Sequence, residues 1–317
     1  MDAELATALI AMKEVLGDDL NLADDLAGTR ANMAAITQSM QDQLTLPDNV
    51  MLEEIIAPSS DGHEIAIRIL RPKQSTAPMP LYFFIHGGGF VLGSAAQGDV
   101  DTLKFASELG MFTASVEYRL APETPYPGPL MDCVQALQYL VDHADRYSID
   151  PQRIIISGVS AGGGLAAGLG LYLRDKTNIK PVGQVLIFPM LDDTNIAPAS
   201  DKTPDTDVWS RASNLFGWQA YLGAAFGQDD VEIYAAPSRA QDLSNLPPAI
   251  IPVGDLDLFL SENKKYAEKM QADGSACDLR IYKGAYHGFN TLMPEAAISQ
   301  RANQDIFEFV QNCLEKT

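Results

Sequence analysis

The sequence predicts an α/β protein with a mostly parallel central sheet flanked by helices. From about residue 81 onward, short runs of β-branched and aliphatic residues alternate with longer segments of helical periodicity, a rhythm that favours parallel strands joined by right-handed crossovers. The apolar run 154–156 leads directly into residues 158–162, Gly-Val-Ser-Ala-Gly, the pattern of a sharp turn from a strand into a helix. A chain of 317 residues can bury a substantial core in one large domain or two small ones.

The first 50 residues predict two amphipathic helices. Leu5, Leu9, Met12 and Leu16 share one face of the first, which breaks at residues 17–19, and the second covers residues 22–40. Such helices are either ordinary packing elements or a cap over a pocket, and nothing local in the sequence decides between them. We assign residues 1–50 to an N-terminal cap segment and residues 51–317 to the catalytic domain.

The first strands are predicted at residues 52–57, 63–71 and 81–85, with Asp61 and Gly62 forming a hairpin turn between the first two. Further along the chain, the pattern predicts strands at 112–116, 153–157, 182–188, 249–253 and 278–282, and helices at about 99–109, 129–144, 262–273 and 295–314.

The periodicity fails between about residues 191 and 228. Pro198 and Pro204 interrupt a polar stretch, and residues 208–221 carry both tryptophans of the chain. A core helix explains this segment, and so does an aromatic insertion that serves as a lid between two sheet strands. We predict a second cap segment here.

The composition narrows the classes of partner. The chain has 22 basic and 42 acidic residues, a formal net charge of −20, which argues against nucleic acid and anionic membrane surfaces as partners. Cys133, Cys277 and Cys313 are far apart in the sequence and predict free thiols, without a zinc site or a disulfide framework. The start of the chain lacks the basic and apolar regions of a secretion signal, and no apolar run is long enough to span a membrane. We therefore expect a cytoplasmic protein.

Ser160 is the candidate nucleophile, at the tip of the strand-to-helix turn. Such a turn aims the backbone N–H of Ala161 at negative charge that forms beside the serine oxygen, an arrangement suited to acyl transfer. A serine hydroxyl needs a general base, and the chain has four histidines: His63, His86, His143 and His287.

His287 is the candidate base, because it lies in a loop after the last predicted strand, where the crevice of a parallel sheet forms. His86 precedes three glycines and is expected to hold that loop through hydrogen bonds. The third member of a triad should follow the preceding strand, where both Asp255 and Asp257 qualify on spacing. The resulting order of serine, acid and histidine is that of the α/β-hydrolase fold.

Five segments in this order resemble the bacterial hormone-sensitive-lipase-like esterases. They are residues 86–90 (His-Gly-Gly-Gly-Phe), 118–123 (Tyr-Arg-Leu-Ala-Pro-Glu), 158–163 (Gly-Val-Ser-Ala-Gly-Gly), and the segments around Asp257 and His287. The resemblance runs from about residue 50 to the C-terminus and implies an α/β-hydrolase fold with a helical cap. It also implies an oxyanion hole made by the N–H groups of Gly88, Gly89 and Ala161, and it selects Asp257 over Asp255.

The sequence departs from the family pattern beside two site residues. Leu258 follows the acid where the family commonly has proline, and Val159 precedes the nucleophile where the family usually has Asp or Thr. We interpret Arg119, Glu123 and Asp132 as structural residues that pair beneath the site.

The predicted function is that of a serine carboxylesterase, which hydrolyses short- to medium-chain acyl esters through an acyl-enzyme without a metal or organic cofactor. The alternatives are an amidase, lactonase or deacetylase on the same triad, and a non-catalytic ligand receptor. An edge strand near the C-terminus is compatible with a homodimer.

Overall fold

The computed structural model describes residues 1–16, 20, 22–196 and 208–316, with the side chains of residue 8 and residues 11–16 left outside the description. Within these ranges the strands form one eight-stranded sheet in the order β1-β2-β4-β3-β5-β6-β7-β8. Their bounds are β1 Val50–Pro58, β2 Glu64–Pro72, β3 Met79–Ile85, β4 Phe112–Val116, β5 Ile149–Val159, β6 Gly183–Ile187, β7 Ala249–Gly254 and β8 Cys277–Tyr282.

The strands β4, β3, β5, β6, β7 and β8 run parallel. At one edge of the sheet, β2 pairs antiparallel with β4, and β1 pairs antiparallel with β2. Strand β8 is the opposite edge, as predicted for the C-terminal part of the chain. Because the carboxyl ends of parallel strands lie along the same end of the sheet, the loops after β3, β5, β7 and β8 meet at a single crevice.

Helices cover both faces of the sheet. Their bounds are α1 Ala3–Leu16, α2 Leu26–Gln43, α3 Gly98–Glu108, α4 Gly128–Asp142, α5 Ala144–Tyr147, α6 Ala161–Lys176, α7 Arg211–Leu222, α8 Leu260–Ala272, α9 Phe289–Leu292 and α10 Ala297–Glu315. One hydrophobic cluster joins the sheet to α4, α6 and α8, and a second joins it to α1, α3 and α10. The α/β class and the mostly parallel sheet are therefore confirmed.

Most predicted elements are present, with local differences that have physical causes. Helix α2 begins at Leu26 rather than residue 22, because the Asp25 side chain caps it by accepting a hydrogen bond from the Gly28 N–H at 2.8 Å. Strand β5 begins at Ile149, since residues 149–150 pair with the start of β3 before a register shift. The hairpin turn at Gly62, with φ of +86°, is confirmed.

Several predictions fall on residues outside the description: the break at 17–19, the side chains of Met12 and Leu16, and the two prolines at 198 and 204. The three cysteines are free, as predicted. Over the described part of the chain, no helix combines the length and the apolar character needed to cross a membrane.

Candidate active site

Ser160 occupies the turn between β5 and α6 in a backbone conformation that is rare for a residue with a side chain. Its φ is 57° and its ψ is −119°, so the surrounding structure must hold it in place. The Ser160 N–H donates to the Ile187 carbonyl at 2.9 Å, and the Ser160 carbonyl accepts from the N–H groups of Gly164 and Met190, both at 3.0 Å. The strained turn is thus fixed by main-chain hydrogen bonds on both sides.

The glycines around Ser160 allow the turn to lie close to the neighbouring backbone. A Cβ at Gly158 would overlap the Gly162 carbonyl, and a Cβ at Gly162 would overlap the carbonyl oxygens of Ile85 and His86. The start of α6 therefore packs directly on the end of β3. Only residues without side chains fit at these two positions.

The structure brings His287 between Ser160 and Asp257. The His287 Nε2 is 2.9 Å from the Ser160 Oγ, and its Nδ1 is 2.9 Å from the Asp257 Oδ2. All three residues are buried. The rings of Phe188 and Phe259 meet the imidazole edge-on, with centroids at 4.7 and 5.0 Å, so apolar walls limit the positions that it can adopt.

The two candidate acids have different partners. Asp257 lies in the turn after β7, where its Oδ1 accepts a hydrogen bond from the Phe259 N–H at 2.8 Å while its Oδ2 faces the histidine. Asp255 instead accepts from the Gly284 N–H at 2.6 Å. Spacing alone left these residues equivalent, whereas the geometry places only Asp257 on the imidazole.

The glycine loop after β3 adjoins the serine turn. A Cβ at Gly87 would lie 2.9 Å from the Val159 carbonyl and 3.4 Å from the Ser160 Cβ. Gly88 and Gly89 have φ values of +113° and +60°, a region that favours glycine. Within the described ranges, the backbone N–H groups of Gly88, Gly89 and Ala161 donate to no protein acceptor. They are therefore free to receive hydrogen-bond acceptors from a bound molecule.

His86 supports this loop, as predicted. It is 1% exposed, its Nδ1 is 2.8 Å from the Gly87 carbonyl, and its ring stacks on Tyr118 at 4.1 Å. The Tyr118 hydroxyl donates to the His86 carbonyl at 3.0 Å. Burial lowers the pKa of His86 to about 4, because desolvation disfavours the imidazolium. The ring is neutral at physiological pH and holds the loop without carrying charge.

The charged residues of the 118–123 segment pair as the sequence predicted, with one difference. Arg119 binds Asp132 at 2.7 Å and also Asp61 at 2.8 Å. Glu123 pairs with Arg30 of α2 at 2.7 Å rather than with Arg119, because Arg30 also donates to two carbonyls of the neighbouring backbone. The Arg30 guanidinium lowers the pKa of Glu123 to about 2. This contact connects α2 to the 118–123 segment.

Two residues near the site were missed as functional candidates. Trp209 lies against Gly89, where a Cβ would overlap its indole ring. Glu262 has a buried carboxyl group, 3% exposed, beside the loop of Asp257, and burial raises its pKa well above the ordinary value. The aromatic content of residues 208–221 was a signal for Trp209. Glu262 looks in the sequence like an ordinary acidic residue in the first turn of a helix, so no local signal existed. Within the described residues, no group of three or more His, Cys, Asp or Glu side chains could hold a metal ion.

Comparison with known proteins agrees with this architecture. A family model described as alpha/beta hydrolase fold matches residues 82–291. The carboxylic ester hydrolase LipN of Mycobacterium tuberculosis is 31% identical over 303 residues, which cover 90% of this chain and 76% of LipN.

Solved structures extend the likeness to nearly the whole chain. A bacterial heroin esterase superposes with a TM-score of 0.92 at 39% identity, over 99% of this chain and 98% of the other. A hyperthermophilic esterase from the archaeon Pyrobaculum calidifontis superposes with a TM-score of 0.86 at 27% identity, over 97% of each chain. The chain belongs to the α/β-hydrolase fold family and, within it, to the hormone-sensitive-lipase-like esterases. It is a carboxylic ester hydrolase.

Proposed function

We propose that the chain hydrolyses short- to medium-chain acyl esters through a covalent acyl-enzyme on Ser160. The observation that carries this proposal is the continuous hydrogen-bonded line from the Ser160 Oγ through His287 to Asp257, with both separations at 2.9 Å. A nucleophile bonded to a base, which is in turn bonded to a third group that orients it, is the arrangement that activates a serine hydroxyl.

In the first half of the reaction, the Ser160 Oγ attacks the ester carbonyl carbon while His287 Nε2 takes the hydroxyl proton. Asp257 keeps the second imidazole proton on Nδ1 and stabilises the imidazolium that forms. The tetrahedral intermediate then collapses, the alcohol leaves with the proton from Nε2, and the acyl group stays on Ser160. Water deprotonated by the same histidine attacks the acyl-enzyme and releases the carboxylic acid.

In this proposal, the N–H groups of Gly88, Gly89 and Ala161 donate hydrogen bonds to the carbonyl oxygen and stabilise the negative charge that forms on it. Their lack of protein acceptors within the described ranges supports the role, as does the position of Ala161 at the start of α6, where unsatisfied N–H groups and the helix dipole favour an anion.

Two observations support small, largely apolar acyl groups. Aromatic rings surround the reacting side chains, with Phe188 and Phe259 on the histidine and Trp209 on Gly89. An ethyl acetate hydrolase of Pseudomonas putida is 27% identical over 263 residues, which cover 82% of this chain, and its name denotes a short ester.

We infer that residues 1–50 and about 191–228 form the cap, because Arg30 and α7 both contact the loop that carries the glycines.

The test is Ser160→Ala with exposed Ser261→Ala as the matched control. Turnover of p-nitrophenyl acetate by Ser160→Ala should fall by about 10⁵-fold or more, as expected when a triad serine is removed. Labelling by a fluorophosphonate should be lost with it, whereas Ser261→Ala should match the parent in both assays. Unchanged turnover or labelling in Ser160→Ala would refute the proposal. Paired ester and amide substrates with one acyl group would distinguish an esterase from an amidase.

A further inference from the structure

Gly89 is enclosed by the segment that contains α7. A Cβ at Gly89 would overlap Cη2 and Cζ2 of Trp209, so the far edge of the indole lies directly on this residue. A Cβ at Gly217, in the middle of α7, would lie 2.8 Å from the Gly89 carbonyl oxygen. The N–H group of Gly89 is one of the donors of the proposed oxyanion hole. The contacts of Trp209 and Gly217 with Gly89 therefore restrict the position of this donor from the α7 side.

Trp209 is itself held by a chain of polar contacts. Its Nε1–H donates to the Asn214 Oδ1 at 3.4 Å, and the Asn214 Nδ2 donates to the Asn195 carbonyl at 2.8 Å. Trp209 and Asn214 are 5% and 0% exposed. Buried hydrogen bonds of this kind fix a unique arrangement, because a partner lost in the interior is not replaced by water.

The chain of contacts ends at Glu262, beside the acid loop. The Asn195 Nδ2 donates to the Glu262 Oε2 at 2.7 Å and lies 3.3 Å from the Leu258 carbonyl, one residue after Asp257. The Glu262 Oε1 accepts from the Leu191 N–H at 2.7 Å. One buried carboxyl group thus joins the loop that carries the triad acid to the segment that covers the glycine loop.

We propose that Trp209 is a positioning residue of the oxyanion hole, held against Gly89 through Asn214, Asn195 and Glu262. The inference rests on the proposed function. Gly89 adopts positive φ and has no side chain of its own to restrict it, so the indole supplies the restriction. Donors that are fixed before the reaction stabilise developing charge without reorganisation, and small misplacements are expensive in rate.

The decisive variant is Trp209→Phe, because a phenyl ring is too short to reach the position of the outer indole atoms. Phe112→Leu is the matched control: Phe112 is 0% exposed at the start of β4, the end of that strand away from the crevice, and it packs against Tyr147 at 6.0 Å between ring centroids. We expect Trp209→Phe to lower kcat for p-nitrophenyl acetate about tenfold, with KM changed by less than about twofold, since an interaction made mainly in the transition state is weakened.

A second readout reports on the oxyanion hole itself. A trifluoromethyl ketone adds to the serine and presents an oxyanion, so its inhibition constant should rise about tenfold in Trp209→Phe, in step with the loss of kcat. Both variants should lose thermal stability to a similar extent, because each removes buried aromatic surface. Rates are referred to active sites titrated with a fluorophosphonate, which corrects for any unfolded fraction.

Asn214→Leu tests whether the restriction is transmitted through the polar contacts. Alone it should also lower kcat, and combined with Trp209→Phe it should add little, because residues that act as one unit give non-additive effects. The inference is overturned if Trp209→Phe and Phe112→Leu have the same kcat and inhibition constant, or if the double variant shows fully additive losses. Ser160→Ala separates the two proposals: an inactive, unlabelled Ser160→Ala beside an unaffected Trp209→Phe would reject this inference alone.

Discussion

Asp255 and Asp257, separated by one residue in the loop after β7, have different partners and different roles. Asp257 faces the imidazole at 2.9 Å, and its second oxygen is occupied by the Phe259 N–H. Asp255 fastens the loop that leads to His287 by accepting from the Gly284 N–H. One carboxylate thus acts on the imidazole directly, and the other acts on the backbone that carries it.

Asn substitutions separate these two roles. Asp257→Asn should lower kcat/KM by about 10³–10⁴-fold, because an amide can hold the wrong imidazole tautomer and cannot stabilise the imidazolium. Asp255→Asn keeps an oxygen for the Gly284 N–H and should stay within about threefold of the parent. Initial rates with p-nitrophenyl acetate at pH 8 measure both. A larger loss in Asp255→Asn than in Asp257→Asn would reverse the assignment.

The sequence predicted a site residue where both its side-chain chemistry and its place in the order of strands pointed to the same role. Ser160 follows from its pentapeptide, and His287 follows from its place after the last strand among only four histidines. The choice of acid needed the family resemblance, because spacing cannot show which of two neighbouring carboxylates turns inward. The pairing of Glu123 with Arg30, 93 positions away, depends on tertiary packing that no local pattern encodes.

Helix α3 presents two aspartates to the interior; burial raises the pKa of both, but only Asp99 has an arginine partner among the described residues. Asp99 is 2% exposed and binds Arg68 at 2.7 Å. Asp101 is half-buried between α3 and the sheet, and burial raises its pKa to about 7. A raised pKa means that the folded protein favours the protonated form of Asp101. The favourable contribution of this protonation to the free energy of unfolding is therefore complete below about pH 4 and is lost as the pH rises through 7.

We therefore expect Asp101→Asn to raise the free energy of unfolding at pH 8 by about 1 kcal/mol, since the amide removes a charge that burial disfavours. Near pH 4, where the native carboxyl is protonated, the variant and the parent should be equally stable. Urea unfolding followed by circular dichroism at the two pH values measures the difference.

The same substitution two residues earlier is the control for this prediction. Asp99→Asn should destabilise the protein by about 3 kcal/mol at pH 8, because Arg68 is left without its buried partner. If Asp101→Asn were instead less stable than the parent at pH 8, the carboxylate would have to make a favourable interaction in its charged form.

The elements themselves were largely predictable, because strand and helix periodicities are strong in an α/β chain. Strand β4 has the predicted bounds of 112–116. The failures are at ends and in short pieces: the Asp25 cap moved the start of α2, and the four-residue helix α9 follows His287 without a periodic signal. The environment of α7, which contributes Tyr221 to a stack on Phe90, required the tertiary structure.

The whole molecule carries a net charge of −20 from 42 acidic and 22 basic residues. Repulsion among surface carboxylates destabilises the folded chain, so salt, which screens this repulsion, should raise stability. Salt also weakens the attraction in local ion pairs such as Arg280–Asp278, both about half exposed, which should lower stability. Because exposed pairs contribute little individually, the long-range repulsion should dominate the response to salt.

The melting temperature should consequently rise between about 20 mM and 300 mM NaCl, a range over which the Debye length falls from about 20 Å to about 6 Å. Differential scanning calorimetry at pH 7.5 measures it, with sucrose of equal osmolarity as the control for non-ionic effects. A melting temperature that falls with salt would show that the ion pairs outweigh the net repulsion.

The three groups that meet at the crevice follow the ends of three separate strands, and the two hydrogen bonds that join them span 127 and 30 positions of the chain. No fragment with intact helices but an unassembled sheet can bring those atoms within reach of one another. Ester turnover is therefore a sensor of completed assembly: during refolding, its recovery should trail the return of helical signal and coincide with the final closure of the β5–β8 half of the molecule.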